Sequence, residues 1–141
     1  MNDIYVVGVG MTPFGRLLER SVYDMINEAV GLALQDAGAS TADVGSVYYS
    51  TMTNGMLQGQ TGIPGPIAMR RVGIEGVPVF SVENACASGS SAFNLATLAL
   101  RAGQCDIALA VGAEKMNVPD KAKMFAVFDG GWDVSTVEQN K

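Results

Sequence analysis

This sequence predicts an α/β fold, a mainly parallel sheet with helices on both faces, and three observations carry that prediction. Short runs rich in β-branched residues alternate with segments whose apolar residues recur at i, i+3, i+4 and i+7. The runs are apolar on both faces, as strands of a parallel sheet covered on both sides must be. The connections between them are long enough for crossovers, so the order β-α-β-α-β-α-β reads as parallel pairing and not as hairpins.

Residues 4–9 form the first predicted strand, and the cluster Gly8, Gly10, Pro13 and Gly15 ends it. From Ser21 the period changes. Val22, Met25, Ile26, Ala29, Val30, Ala33, Leu34 and Ala37 share one helical face, with Ser21 as N-cap and Gly38 as the stop. Residues 47–50 are the second strand, followed by a Gly-rich stretch from Asn54 to Gly65. A short helix starts near Pro64 or Pro66 and ends at Gly73, with Arg70 and Arg71 on its solvated side. Residues 78–82 are the third strand and 107–111 the fourth. Between them Ala87 to Arg101 reads as a helix apolar on every side of its second half, hence buried on every side. After Gly112 the pattern degrades, and residues 114–141 offer no closing strand or helix. The chain reads as interrupted, with an α/β half-domain over 1–116 and the start of an incomplete loop region over 117–141.

With 141 residues the prior is one domain. A net charge of −5 leaves no basic face for phosphate backbones, so a nucleic-acid partner is excluded. Hydrophobic residues at 48% against 16% charged describe a folded chain, part of whose surface is covered by something else. The apolar runs are too short to span a bilayer, and the N-terminus lacks a basic n-region. Two cysteines make no disulfide framework, so a cytoplasmic compartment with reduced thiols is expected.

The segment from Val82 to Ala92 is the chemically informative one. A strand ends, the chain turns, and Cys86 stands at the first turn of a helix of small residues. A helix N-terminus favours a thiolate, and its free N–H groups can hold a developing oxyanion. Ala87, Ser88, Gly89, Ser90 and Ser91 leave room for a substrate carbonyl, the logic of a nucleophile elbow with sulfur in place of oxygen. The plainer reading of Cys86 is a small buried hydrophobe. Cys105 lacks such a setting and reads as structural. Gly8-Val9-Gly10 is no dinucleotide loop, because position 13 is Pro and no amphipathic helix follows directly. The 8 methionines fit an acyl pocket or, more commonly, gaps in a core. Glu114 stands at the end of the fourth strand, where ligand-side residues cluster, or caps the turn after it.

Val82-Glu83-Asn84-Ala85-Cys86-Ala87-Ser88-Gly89-Ser90-Ser91-Ala92 resembles the nucleophile segment of the thiolase superfamily, particularly the sterol-carrier-protein type. Three further segments agree in order and spacing: residues 4–15 with the family's first strand and loop, 105–116 with its fourth strand, and 128–133 with the start of its long loop region. The resemblance implies the N-terminal half of a five-layered αβαβα sandwich in a dimerising chain. It implies reversible Claisen chemistry on 3-oxoacyl-CoA, with Cys86 as the acyl-accepting nucleophile and its own N–H in an oxyanion hole. Coenzyme A enters as substrate, no cofactor is covalently bound, and no metal site is read. The family's activating histidine, oxyanion-hole histidine and second cysteine belong to its C-terminal half, whereas this sequence contains 0 His. The expectation is therefore an acyl-CoA C-acyltransferase when complemented by a C-terminal half or subunit, inactive alone. Two alternatives stand beside it: a thiolase-like aldolase or acyltransferase subunit, and a non-catalytic interaction fragment. Because four strands and two other helices cannot wrap the 87–101 helix, the isolated chain is expected to expose an apolar patch and to associate.

Overall fold

A computed structural model describes residues 3–136. The opening Met1-Asn2 and the polar end 138–141 lie outside the described residues. The first helix, α1 (Val22–Ala37), is built as its sequence requires: Ser21 Oγ accepts from the Asp24 N–H while the Asp24 carboxylate accepts from the Ser21 N–H, a capping box. Gly38 ends it at φ 62°, a left-handed conformation that a Cβ would penalise. Then follow β1 (Ser46–Ser50), the short α2 (Asn54–Gln58), α3 (Pro64–Val72), β2 (Val79–Val82), α4 (Ser88–Arg101), β3 (Ala108–Gly112) and α5 (Lys121–Ala126).

The sheet is parallel, in the order β2-β1-β3. Val47 pairs with Val79 on one side and Leu109 on the other, so the three strands end level at Ser50, Val82 and Gly112. All five residues of β1 are buried, as a central strand covered on both faces must be. Its alternation divides the core. Val47 and Tyr49 join Ile26, Val30, Ala68 and Met69 on the face carrying α1 and α3. Tyr48 points the other way, against Ala92, Ala96 and Ala99 of α4. Each face is apolar, and full burial of a side chain such as Ile26 contributes about 1.5–3 kcal/mol.

Three sequence expectations need correction. Residues 4–9 are extended but pair with no strand among the described residues, and Tyr5, Val6, Val7 and Val9 are exposed. The segment instead lies along α1: a Cβ on Gly8 would strike Ala33 O, and one on Gly10 would strike Ala29 O. Those glycines exist for close approach of backbone to helix. The Val9 N–H donates to Asp36 Oδ2 at 2.9 Å and secures the segment there. Second, α4 is not buried all round. Its small-residue face packs on the sheet, while Phe93, Leu95 and Leu98 are exposed on the other. Third, α5 and a 3-10 turn over Val127–Gly131 form where no helix was expected. Asp120 caps α5, its carboxylate accepting from the Lys123 N–H at 2.9 Å. None of the helices among the described residues is long and apolar enough to cross a membrane.

Candidate functional site

Because the strands are parallel and end level, the loops that follow them meet at one edge of the sheet. This is the edge where α/β folds gather ligand-binding residues. There Thr51, Met52 and Thr53 after β1, the turn after β2 and Ala113, Glu114 and Met116 after β3 enclose a cavity of about 320 Å³, together with Phe128. Cys86 lines it and is exposed. The buried-hydrophobe reading of Cys86 therefore does not hold.

The turn that carries the cysteine is held tightly by its own polar groups. Cys86 sits in a 3-10 turn, Ala85–Ala87, that runs directly into α4. Ala85 is at φ 47°, a left-handed conformation costly for a residue with a Cβ. Its strained N–H donates to Glu83 Oε1 at 2.6 Å. Ser88 Oγ accepts from the Asn84 N–H at 2.8 Å and donates to Ala85 O at 2.7 Å, and Asn84 Nδ2 donates to Ser91 Oγ at 3.0 Å. The Ala87 N–H is spent on Asn84 O and the Ser88 N–H on Ala85 O. Neither of these bonds, nor any other drawn in the turn among the described residues, engages the Cys86 N–H.

Glu114 is the second polar feature of the cavity: it lies on the ligand side of the sheet, as one sequence reading has it, and departs from the other. It caps the turn after β1, the neighbouring strand, and not the turn that follows it. Its carboxylate accepts from the Met52 and Thr53 N–H groups and from the Thr51 and Thr53 hydroxyls. Asn54 Nδ2, donating to Ala113 O at 2.7 Å, ties the same two loops together. Lys115 reaches the other way, donating to Leu18 O at 2.8 Å and Arg20 O at 2.5 Å.

The remaining candidates separate cleanly. Cys105 is half-buried, its Sγ 3.2 Å from Ser46 Oγ and packed on Gly45, as a structural cysteine. Arg71 stacks 4.0 Å over the Tyr23 ring, and Arg70 faces Glu75 at 3.5 Å; neither approaches the cavity. The methionines divide between roles: Met25 and Met69 are core, while Met52 and Met116 line the cavity. Sequence reading missed Thr51, Met52, Thr53 and Phe128. The first three follow directly on a parallel strand, a signal that was available; Phe128 arrives only through the tertiary fold.

A parallel α/β layer whose strand ends converge on an exposed cysteine in a strand-to-helix turn is the class this geometry defines. The comparisons specify it: residues 4–135 match the thiolase N-terminal domain, and the chain belongs to the thiolase family. An acetyl-CoA acetyltransferase of Methanocaldococcus jannaschii is 40% identical over 116 residues, covering 82% of this chain and 29% of that protein. Sterol carrier protein 2 of Bos taurus is 33% identical over 130 residues, covering 86% of this chain and 23% of its own length. The solved acetyl-CoA acetyltransferase of Syntrophomonas wolfei superposes with a TM-score of 0.65 at 26% identity, over 74% of this chain and 27% of that one. The chain thus spans less than a third of the length of these relatives.

Proposed function

We propose that this chain is the nucleophile-bearing part of a thiolase-type acyltransferase acting on 3-oxoacyl-CoA, with Cys86 as the acyl carrier. In that reaction the Cys86 thiolate attacks the 3-oxo carbon, and the carbon–carbon bond to the acetyl-CoA portion breaks. The carbanion takes a proton and leaves as acetyl-CoA; the thiol of free CoA then accepts the acyl group from sulfur. The observation that carries the reading is an exposed Cys86, in a turn at the start of α4, lining a cavity at the carboxyl edge of the sheet. An unengaged Cys86 N–H beside the sulfur suits an oxyanion.

Two protons move in this chemistry, and each transfer needs a positioned acid or base. The sequence has 0 His and the Glu114 carboxylate is engaged in the loop after β1, which supports a base supplied from a complementary half. Support for a complementary half or subunit lies on the surface. Residues 4–10 and β3 face each other across an apolar groove of about 340 Å³, with the outer edge of β3 unpaired among the described residues. An open strand edge beside exposed Val6, Val7 and Val9 calls for another segment to cover it. The same surfaces support a homo- or hetero-oligomer.

Alkylation tests the nucleophile. Near neutral pH iodoacetamide labels Cys86 well ahead of Cys105, read by peptide mass spectrometry; equal slow labelling of both would sink the assignment. With the complementary half present, incubation with acetyl-CoA adds one acyl group to the wild-type chain and none to Cys86→Ser. Turnover retained by that variant excludes Cys86 as the carrier.

A further inference from the structure

Glu114 looks at first like a spare acid or base beside Cys86, since both line one cavity. Its bonding argues otherwise. Four donors converge on its two oxygens: the Met52 N–H, the Thr53 N–H at 3.1 and 3.2 Å from the two oxygens, the Thr51 hydroxyl at 3.1 Å and the Thr53 hydroxyl. An ionised carboxylate has about four lone-pair sites and accepts only, so this set fills it. The loop it grips is also attached through the Thr51 N–H, which donates to Val82 O at 3.3 Å, and through Asn54 Nδ2, which donates to Ala113 O at 2.7 Å. Thr53 is buried and Met52 lines the cavity, so the grip on these residues decides how far the Met52 side chain stands from the cysteine turn.

We propose that Glu114 is a positioning residue that sets the width of the cavity in front of Cys86, and thereby the size of acyl group it admits. The inference deepens the acyl-carrier reading of Cys86 and rests on it. The carboxylate acts through Met52 and Thr53, reaching from the end of one strand to the loop after its neighbour. Met116, two residues beyond Glu114, forms part of the same lining, so one anchor holds apolar wall on two sides.

The test uses the full chain and two maleimides, N-ethylmaleimide and its N-octyl homologue, on wild type, Glu114→Gln, Glu114→Ala and Thr51→Val. Both reagents react with the same thiolate, so thiol acidity cancels in the ratio of their rates at Cys86, and labelling under conditions where each variant is folded leaves the cavity as the variable. It reports the room in front of the sulfur. In Glu114→Ala the octyl-to-ethyl ratio moves by at least about fivefold, a modest share of what a wall displaced by an ångström can cost. Glu114→Gln follows it, and Thr51→Val, which removes one donor, moves the ratio less and in the same direction. Amide exchange at Met52 and Thr53, followed in parallel, accelerates in each Glu114 variant. Unchanged exchange would overturn the clamp; faster exchange with an unchanged ratio would overturn its control of the cavity. Should wild-type Cys86 react no faster than Cys105, the acyl-carrier reading fails, while the exchange data still decide the clamp.

Discussion

Ala85 and Tyr49 show how single residues near the site hold energy in different forms. Ala85 adopts φ 47° one position before Cys86, and its strain is offset by the bonds of Glu83 and Ser88. Replacing it with Gly removes the Cβ conflict and costs only backbone entropy, so Ala85→Gly raises stability by up to about 1 kcal/mol in urea unfolding. A loss of stability there would mean that Ala85 is not strained. Tyr49 is buried beneath the loop after β1, and burial pushes its phenol up to about 12, with the nearby Glu114 charge acting in the same direction and the Asn54 bond opposing. Its folded pKa lies above the unfolded value near 10, so the folded state binds more protons between the two. The contribution is fully present below pH 10 and is lost as pH rises through 12, on the order of 2–3 kcal/mol. Denaturant midpoints between pH 9 and 12 fall more steeply for wild type than for Tyr49→Phe; parallel curves would refute the burial of that phenol. Neither feature is readable from sequence, because both depend on what tertiary packing puts beside a residue.

The elements were more legible, and where they were not the reason is physical. The ends of α1 follow from Ser21, Asp24 and Gly38, since capping is local chemistry written within a few residues. Ser21→Ala removes one half of the box and lowers stability by about 1 kcal/mol, which a thermal or urea midpoint reads directly. Likewise α3 starts at Pro64 and stops at the left-handed Gly73. Residues 4–9 misled because β-branched residues report fitness for a pleated surface, not the presence of a neighbour to pair with. The true constraint there was in the glycines. A methyl on Gly10 collides with the α1 backbone at Ala29 and Ala33, so Gly10→Ala costs about 1–3 kcal/mol, whereas Gly15→Ala, in open space, costs nothing comparable. Equal effects at both positions would refute the close approach. The α5 helix was missed because six residues carry too little periodicity, although Pro119-Asp120 before it is a start signal. At the site, Cys86 was legible from its strand–turn–helix setting, whereas the partners of Glu114 were not, because the loop they occupy lies 61 to 63 positions away.

At the scale of the molecule, two apolar surfaces decide how the 141-residue chain behaves by itself. One is the extended segment with Tyr5, Val6, Val7 and Val9 exposed beside the open edge of β3; the other is the outer face of α4 with Phe93, Leu95 and Leu98. Patches of this kind on an isolated chain drive association, and a net charge of −5 is a weak brake against them. Expressed alone, the chain therefore elutes as dimers or larger species in light scattering, with the proportion rising with concentration. Placing a charge on each surface, Val7→Lys and Leu98→Glu, shifts it toward monomer without lowering its unfolding midpoint, because neither side chain is buried. Phe93 also lines the groove bordered by residues 4–10, so the two surfaces adjoin, and each single variant is expected to remove only part of the association. If wild type is monomeric at every concentration, the exposed faces are not sticky enough to need a partner, and the argument for a complementary half loses its structural support. If only the Val7 variant restores the monomer, the open edge of β3 is where that partner is needed.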